Sequence, residues 1–383
     1  MLALASPMAL AAVEIHDDLS VGADLALAAQ CQQIRGVEDP DDICRGGMTF
    51  LPELSFRPTQ QDQIYLQFDF ALGSALNTES PFMLAPWAAT LENQVLDING
   101  TGRNYLLAAW YAHRFPLGEE QTLEITGGIL DTSVYQDNNA YADDELLQFM
   151  NAAFVNSYSA YLPTYSGGGA LVWEVQDWTL SAIAMDAGKN QAGRQFNYFA
   201  AGAAYHLQTA LGEGNYRLLV YATSPDFPDG ADLEQQAGGV LSFDQEFSPV
   251  LGAFLRLGWA RDTPGVEYVG RYTGGLNLKG RAWGREDDNI GLALGYLEGP
   301  GWDPDLATGD QPAGQATLGA LGLAASSSPG LNLENTQVFE AYYRFVINDD
   351  LALSADAQYM RDHYREGEDV EGWIFGLRGV ASF

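Results

Sequence analysis

The feature that most constrains this chain is an alternation of apolar and polar residues, repeated in segments of about ten residues. Segment 62–72 shows it best, with its apolar residues on one face of an extended chain: Ile64, Leu66, Phe68 and Phe70. Its other face carries the residues between them: Tyr65, Gln67 and Asp69. Because side chains of a strand point alternately to opposite faces, the pattern predicts strands with one apolar face and one face in contact with water.

The same pattern predicts sixteen strands along the chain. They lie near residues 17–27, 47–57, 62–72, 103–114, 121–130, 168–176, 178–187, 197–207, 215–223, 236–247, 250–260, 269–280, 288–297, 335–347, 350–360 and 372–383. Some are joined by short turns, such as 175–178, and others by long connections, such as 75–102 and 299–334. An even number of strands with short turns on one rim and long loops on the other is typical of outer-membrane barrels.

Aromatic residues support a membrane barrel rather than the alternative, a large soluble β-sandwich array. Tyr and Trp recur near the predicted strand ends: Tyr65, Trp87, Tyr111, Trp173, Trp178, Tyr221, Trp259, Tyr359 and Trp373. Such residues form girdles at the two membrane interfaces. The last strand ends in the C-terminal Phe383, a typical assembly signal of outer-membrane strands. The longest apolar runs, such as 105–112, are far shorter than the roughly 18 residues of a membrane helix.

The charge balance excludes some functions. The chain has 18 Lys and Arg against 51 Asp and Glu, a formal net charge of -33. Such a chain cannot neutralise phosphates, so we predict no nucleic-acid partner and no docking on an anionic lipid surface. A salty habitat and the filtering of ions both remain explanations of the acidity.

The N-terminal part differs from the rest. Residues 1–11 end in an Ala-x-Ala cleavage site and are predicted to be the remnant of a signal peptide; an ordinary Ala/Leu-rich buried strand or helix is the alternative. Residues 12–46 are predicted to hold a possible first strand and a disulfide loop, and residues 47–383 to form the outer-membrane barrel. In an oxidising compartment Cys31 and Cys44 can pair, and two unpaired thiols are the alternative.

Several stretches carry information beyond the alternation of apolar and polar residues. They read LEITGGILDTSVYQDNNAYADDELLQFMN (123–151), GGLNLKG (274–280), DDNIGLA (287–293), EAYYRF (340–345) and DAQY (356–359). Together they resemble the carbohydrate-selective porin family, called the OprB family, over roughly residues 100–383. The resemblance implies a sixteen-stranded outer-membrane barrel that passes small solutes, sugars in many members, by facilitated diffusion.

A barrel of about sixteen strands leaves a water-filled lumen, so selectivity depends on what narrows it. The candidate is Asp137–Tyr161, whose polar residues include the turn formers Asn138 and Asn139. Its acidic residues suit a helix N-terminus: Asp143, Asp144 and Glu145. The apolar residues that follow can pack one face of a short helix: Leu146, Leu147, Phe149 and Met150. We predict that this segment folds inward and forms the constriction; an external loop lying over the rim is the alternative.

Strand parity places five basic residues on the lumen side: Arg256, Arg271, Lys279, Arg344 and Arg378. A charge facing lipid near the midplane costs about 2–4 kcal/mol, so these side chains should face water. Opposite acidic loop residues, they would set a transverse field that orients polar solutes. Three aromatics are candidates for stacking on sugar rings: Tyr135, Tyr141 and Trp173.

Catalysis has little support in the sequence. None of the four His residues lies in a metal-binding spacing, and no nucleophile elbow or phosphate loop appears. We therefore predict no enzyme activity, no metal site and no organic cofactor.

The predicted fold is all-β: a transmembrane antiparallel barrel of about sixteen strands with an inward-folded loop containing a short helix. The predicted function is a passive porin of the bacterial outer membrane for small hydrophilic solutes, carbohydrates foremost. Its partners are outer-membrane lipids and the sugars or ions carried, and it is a monomer or a homotrimer. A cation-preferring general porin of the same fold, a membrane-barrel enzyme such as a lipid hydrolase, and a structural barrel with a plugged lumen remain alternatives.

Overall fold

A computed structural model of the protein describes residues 13–36, 42–95, 106–155, 163, 165–189, 193–226, 234–263, 266–301 and 332–383. Within these ranges no helix is both long and apolar enough to cross a membrane. The predicted signal-peptide remnant, 1–11, lies outside the described residues.

The described residues form one antiparallel sheet of eighteen strand segments. They are β1 (Val13–His16), β2 (Leu19–Arg35), β3 (Cys44–Phe56), β4 (Asp62–Phe68), β5 (Phe70–Leu72), β6 (Leu106–Gly118), β7 (Gln121–Leu130), β8 (Ser166–Val175), β9 (Trp178–Lys189), β10 (Gln195–Gln208), β11 (Glu213–Thr223), β12 (Ala237–Ser248), β13 (Leu251–Ala260), β14 (Gly270–Lys279), β15 (Asn289–Glu298), β16 (Leu333–Asn348), β17 (Leu351–Tyr364) and β18 (Val370–Ser382). The helical elements between them are α1 (Glu92–Val95), α2 (Ser133–Gln136) and a 3-10 turn (Gly280–Trp283).

Sixteen strands close this sheet into a barrel. β1 extends only the start of β2, and β4 and β5 are two parts of one strand that pairs with β3. Every other strand pairs with its neighbours in the chain, and β18 pairs with β2 from Glu371↔Arg35 to Ser382↔Asp24. The predicted sixteen-stranded antiparallel barrel is confirmed. Closure leaves no edge strand, which a sheet in lipid requires because unpaired backbone groups there are costly.

The alternation of the sequence separates the two faces of the barrel. In β4 and β5, Ile64 and Phe70 are 39% and 43% exposed on the outside, whereas Tyr65 and Asp69 are fully buried inside. The last strand repeats this pattern, with Leu377 outside at 67% exposed. The outer surface is thus an apolar belt of the kind that faces lipid, and the polar side chains line the lumen.

Most of the predicted girdle aromatics lie on the outer surface: Tyr111, Trp173, Trp178, Trp259, Tyr359 and Trp373. Trp173, Trp178, Trp259 and Trp373 are near the ends of their strands, whereas Tyr111 and Tyr359 are in the middle of theirs. The prediction was wrong for three others. Tyr65 and Tyr221 occupy inward positions of their strands, and Trp87 is fully buried in the connection between β5 and β6. Nearness to a strand end does not decide which face a residue takes, because that depends on parity.

The connections differ between the two rims. The turn rim has only short connections: 57–61, 119–120, 176–177, 209–212, 249–250, 280–288 and 349–350. The loop rim has the long ones, 73–105, 131–165 and 299–332, together with 36–43, 190–194, 224–236, 261–269 and 365–369. β18 ends at the turn rim, where the N–H of Phe383 donates to the carbonyl of Ala23 at 2.9 Å. The C-terminal residue thereby helps to close the barrel.

A disulfide joins the first two barrel strands at the loop rim. Cys31 and Cys44 are directly opposite in the register of β2 and β3 and are covalently bonded. The connection 36–43 follows immediately. The strand expected at 17–27 is longer in the structure and extends through Cys31 to Arg35.

We expect the C31S/C44S variant to lose about 3 kcal/mol of unfolding free energy, because the unfolded chain is no longer cross-linked. Urea unfolding in detergent micelles, followed by a heat-modifiability gel, measures this loss. A reductant should shift the wild-type protein to the same midpoint and leave the variant unchanged. Two free thiols in the unreduced, denatured wild type would contradict the pairing.

Candidate solute passage and its constriction

The connection from β7 to β8 enters the lumen. Its residues 131–155, called here the crossing segment, end in fully buried side chains such as Phe149, Met150 and Phe154. Near its start, Asn139 Nδ2 lies 3.3 Å from Ser242 Oγ on the wall strand β12. Farther along, it contacts β13, β16, β17 and β18. The crossing segment therefore spans the barrel from wall to wall. Residues 156–161 of the predicted constriction lie outside the described residues.

Arg256 of β13 holds one part of this segment. Its Nη1 donates to the carbonyl of Phe154 and its Nη2 to the carbonyl of Asp137, each at 2.8 Å. Its Nε lies 3.3 Å from Asp137 Oδ1, and both side chains are 1% exposed. Asp143 Oδ1 lies 3.8 Å from Nη2. A planar guanidinium suits this task because its donors point in several fixed directions.

Arg378 of β18 holds a second part. Its Nη1 donates to the carbonyl of Glu145 at 2.7 Å and its Nη2 to the carbonyl of Gln148 at 2.8 Å. Arg256 and Arg378 thus face inward, as strand parity predicts. Their donors, however, bind backbone carbonyls of the crossing segment, so these residues position the segment.

A buried carboxylate of β16 forms the third attachment. Glu340 accepts hydrogen bonds from the backbone N–H groups of Met150 at 2.5 Å and Asn151 at 3.0 Å. Asn151 Nδ2 in turn donates to Gln358 Oε1 of β17 at 2.9 Å. Sequence reasoning did not single out Glu340. The available signal was an acidic residue at an inward position of the strand, between the apolar Phe339 and Ala341.

The first long connection also folds inward. Residues 73–95, called here the support segment, pack beside the crossing segment. The carbonyl of Pro86 accepts hydrogen bonds from Gln30 of β2 at 3.0 Å and Gln358 of β17 at 2.9 Å. The N–H of Ala88 donates to the carbonyl of Met150 at 2.8 Å. The buried indole of Trp87, predicted to lie in a girdle, thus belongs to this second inward segment.

The short helix of the inward loop is α2, before Asp137, and the helix predicted over the acidic and apolar residues 143–150 is absent. Asp144 Oδ1 instead accepts hydrogen bonds from the N–H groups of Leu146 and Leu147, at 2.7 and 2.9 Å. These are the bonds of a helix N-cap, and the N–H of Gln148 closes a single turn by donating to the carbonyl of Asp144 at 2.8 Å. The turn does not extend into a helix, because the N–H groups of Met150 and Asn151 donate to Glu340 instead.

Apolar packing fills one side of the lumen. Phe149 contacts Phe154, Phe254 and Tyr342 with ring centroids 5.2, 5.8 and 4.9 Å apart. These rings join the crossing segment to β13 and β16.

Three chambers lie beside the crossing segment. The first, 410 Å³, lies between the crossing segment, the support segment and strands β2, β3, β4 and β6. The second, 610 Å³, lies against β8 to β11, and the third, 430 Å³, lies toward the turn rim against β11 to β16. Val134, Tyr135 and Asp143 line both the first and the second chamber, and Glu213 and Asn215 line both the second and the third. The chambers thus outline a path around the crossing segment.

The remaining predicted residues fall in different places. Lys279, paired with Glu246, and Arg344 line the third chamber together with Tyr141. The Tyr141 ring is packed so closely on Gly252 that a Cβ there would lie 2.1 Å from its Cζ.

The other predicted residues differ in whether they line the chambers. Asn138 lines the second chamber, and Tyr135 lines the first and the second. Arg271 is half-buried and is not among the described residues that line the chambers. Trp173 lies on the outer surface and was wrongly predicted to meet a sugar.

Burial in the crossing segment changes the acidity of two carboxyl groups. Burial raises the pKa of Asp143 to about 7, against the attraction of Arg256 and with repulsion from Asp137 and Asp144. Arg217 of β11 also attracts it. Burial raises the pKa of Glu145 to about 8, and the neighbouring Asp144 raises it further. Water screens Asp143 partly, because its side chain is 33% exposed. Both groups therefore gain negative charge near neutral pH.

Comparisons with known proteins agree with this architecture. The sequence model of the carbohydrate-selective porin, OprB family, matches residues 71–379. The high-pH structure of Pseudomonas putida OprB superposes with a TM-score of 0.70 at 14% identity, covering 96% of this chain and 94% of that one. The low-pH structure of the same protein gives a TM-score of 0.53 at 13% identity, covering 96% and 93%. At these identities the likeness establishes the fold.

A curated relative matches in part. An uncharacterized protein of Aquifex aeolicus (strain VF5) is 35% identical over 128 residues, which are 32% of this chain and 40% of that protein. The match thus spans less than half the length of that relative.

We expect R256A to release the crossing segment, because Phe154 and Asp137 lose their donor and a buried carboxylate loses its partner, at a cost of about 3–5 kcal/mol. Single-channel currents in planar bilayers should become larger and noisier, and chymotrypsin should cleave within 131–155. The matched control is R344A, which removes an inward arginine with no hydrogen bond to the crossing segment among the described residues. Identical currents from both variants would contradict this role of Arg256.

We expect the preference for K⁺ over Cl⁻ to rise from about pH 5 to about pH 9 as Asp143 and Glu145 ionise. Their raised pKa values mean that the folded protein holds extra protons in this window, so these groups also make folding less favourable as the pH rises. Reversal potentials in a KCl gradient measure the preference. The D143N/E145Q variant should show a flatter profile, and an unchanged slope would contradict the assignment.

Proposed function

The chain belongs to the carbohydrate-selective porin, OprB family, and on that premise we propose that it is a passive porin of the bacterial outer membrane. Small hydrophilic solutes, carbohydrates foremost, would diffuse through the chambers beside the crossing segment. The observation that carries this proposal is the combination of a closed sixteen-stranded barrel with two segments folded into its lumen.

The dimensions of the path support solutes of sugar size. The chambers measure 410, 610 and 430 Å³. Sites for small organic molecules are typically about 300–1,000 Å³. A bare barrel of this strand number would leave a wide aqueous channel. The inward segments reduce that channel, and their attachment to the wall by buried charges would keep the reduced size constant.

The walls offer the groups that bind carbohydrate hydroxyls. Carboxylates, amides and hydroxyls of both segments and strands line the chambers, among them Gln67, Asn138 and Asn215. Tyr135 and Trp110 add aromatic surface on which the apolar face of a sugar can rest. Each contact is solvated and weak. Weak binding at several places is what permeation needs, since one tight site would block the pore.

The family and the barrel fold point to the bacterial outer membrane. The apolar belt and the aromatic strand ends suit a membrane-spanning orientation with lipids around the barrel. In this orientation the turn rim would face the periplasm and the loop rim the cell exterior, because short turns are periplasmic in such barrels. Whether the protein is a monomer or a homotrimer stays a prediction.

A cation-preferring porin of the same fold is the second candidate. The acidic lining of the first chamber favours it, because a vestibule of one sign concentrates counter-ions.

The family and fold indicate a channel rather than an enzyme. Histidine contacts among the described residues also favour a channel, because each pairs with groups other than Ser: His16 with Asp18, His113 with Asp62 and Tyr111, His206 with Thr179 and Asn215, and His363 with Glu334 and Asp369.

We expect purified protein to form discrete ion channels in planar bilayers, and neutral monosaccharides at millimolar concentration to reduce the current reversibly by occupying the path. Open channels that ignore sugars and favour K⁺ would support the cation porin. No conductance from a barrel shown to be folded by its heat-modifiable gel mobility would overturn the proposal.

A further inference from the structure

We propose that the first chamber is a binding site for cationic sugars, that is, amino sugars carrying a protonated amine, and that it prefers them to neutral and anionic sugars. This inference rests on the proposed function and names the solute class. It combines an enclosed cavity, a one-signed charge lining and an aromatic wall.

The charge lining is the first observation. Five carboxylates line the chamber: Asp24, Asp131, Asp143, Asp144 and Glu145. Among the residues that the structure describes, only Asp143 of these has an ion pair. Asp131 and Asp144 each accept hydrogen bonds from backbone N–H groups with one carboxylate oxygen, which fixes their direction without neutralising them. The chamber thus gathers five carboxyl groups, and its negative charge grows as Asp143 and Glu145 ionise near neutral pH.

Basic residues do not balance this charge. The lining contains neither Lys nor Arg among the described residues. Arg256 and Arg378, which contact the crossing segment, both direct their Nη atoms at its backbone carbonyls. Arg217 lines the second chamber, and Lys279 and Arg344 line the third. The first chamber therefore differs from the other two in having carboxyl groups and no basic group among its described lining residues.

Aromatic side chains also line the chamber. Tyr65 and Trp110 line the chamber and stack on each other with centroids 5.0 Å apart. Tyr135 and Tyr165 line it as well. Aromatic faces bind the apolar face of a sugar ring and also attract cations.

The chemistry of the ligand follows from these carboxyl and aromatic groups. A sugar ring can rest on the aromatic side while its hydroxyls meet side chains such as Thr49 and Gln67. A protonated amine on that ring would face the carboxylates. An ammonium also relieves their mutual repulsion, which a neutral sugar leaves in place and an anionic sugar increases.

The raised pKa values of the lining carboxyl groups also support the binding of a cation. The pKa of Asp131, like those of Asp143 and Glu145, is raised, with burial as the main cause. The groups that face them are Arg256 and Arg217 on the wall, Asp137 and Asp144 on the same segment, and one another. A bound cation favours their ionised form, so its binding should release protons.

The test compares three sugars by the concentration that halves the single-channel current at neutral pH: glucosamine, glucose and N-acetylglucosamine. We expect glucosamine to act at about a tenfold lower concentration than the other two, as two nearby carboxylates in a wet pore allow. In D144N/E145Q this preference should disappear through a roughly tenfold weaker effect of glucosamine. Asn at position 144 keeps the oxygen that accepts from Leu146 and Leu147, so the turn is retained.

The matched control is E366Q/E368Q, which removes two exposed carboxylates at the loop rim, outside the chambers. It should keep the wild-type preference. Higher salt should reduce the preference in the wild type, because screening weakens charge attraction.

Equal half-block concentrations of glucosamine and glucose, with both entering, would overturn this inference and leave the porin proposal intact. Equal loss of the preference in both variants would show a diffuse effect of net charge and also overturn it. If no sugar enters a conducting wild-type channel, the proposed function itself fails.

Discussion

Pairing of the backbone is the constraint on which the rest of the structure depends. A sheet in lipid has no water to satisfy its N–H and C=O groups, so it must close on itself. Here β18 pairs with β2 along its whole length, and the C-terminal Phe383 completes the seam. Closure fixes the parity of every strand at once. Apolar residues then face lipid, polar residues face the lumen, and the lumen becomes available for a function.

The lumen is occupied by protein that is attached through buried charged groups. Arg256, Arg378 and Glu340 each bind backbone groups of the crossing segment, so these buried polar groups have hydrogen-bond partners inside the barrel. Such attachments are costly to break on one side, since the remaining partner stays buried without a hydrogen bond. They join the crossing segment to the wall strands β13, β16 and β18. They also direct the Nη groups of two arginines at backbone carbonyls, and the first chamber has no basic group among its described lining residues.

The strands could be predicted from the sequence because period-two alternation depends on local residues and on one buried face. The inward orientation of Arg256 and Arg378 followed from parity alone. Their partners did not, because Phe154 and Glu145 are 102 and 233 residues away along the chain. The helix expected over 143–150 failed for the same reason, since Glu340 takes donors that a helix would need. The support segment shows no periodic spacing of apolar residues, so it was predicted only as a long connection.

The most direct test of this account replaces residues 138–150 with a short Gly-Ser linker and compares the size limit for neutral oligosaccharides in proteoliposome swelling. The account predicts that the wild type admits small sugars and excludes larger oligosaccharides, and that the replacement admits the larger ones while the barrel stays folded. Equal size limits in the two proteins would contradict it, because the crossing segment would then not be the constriction.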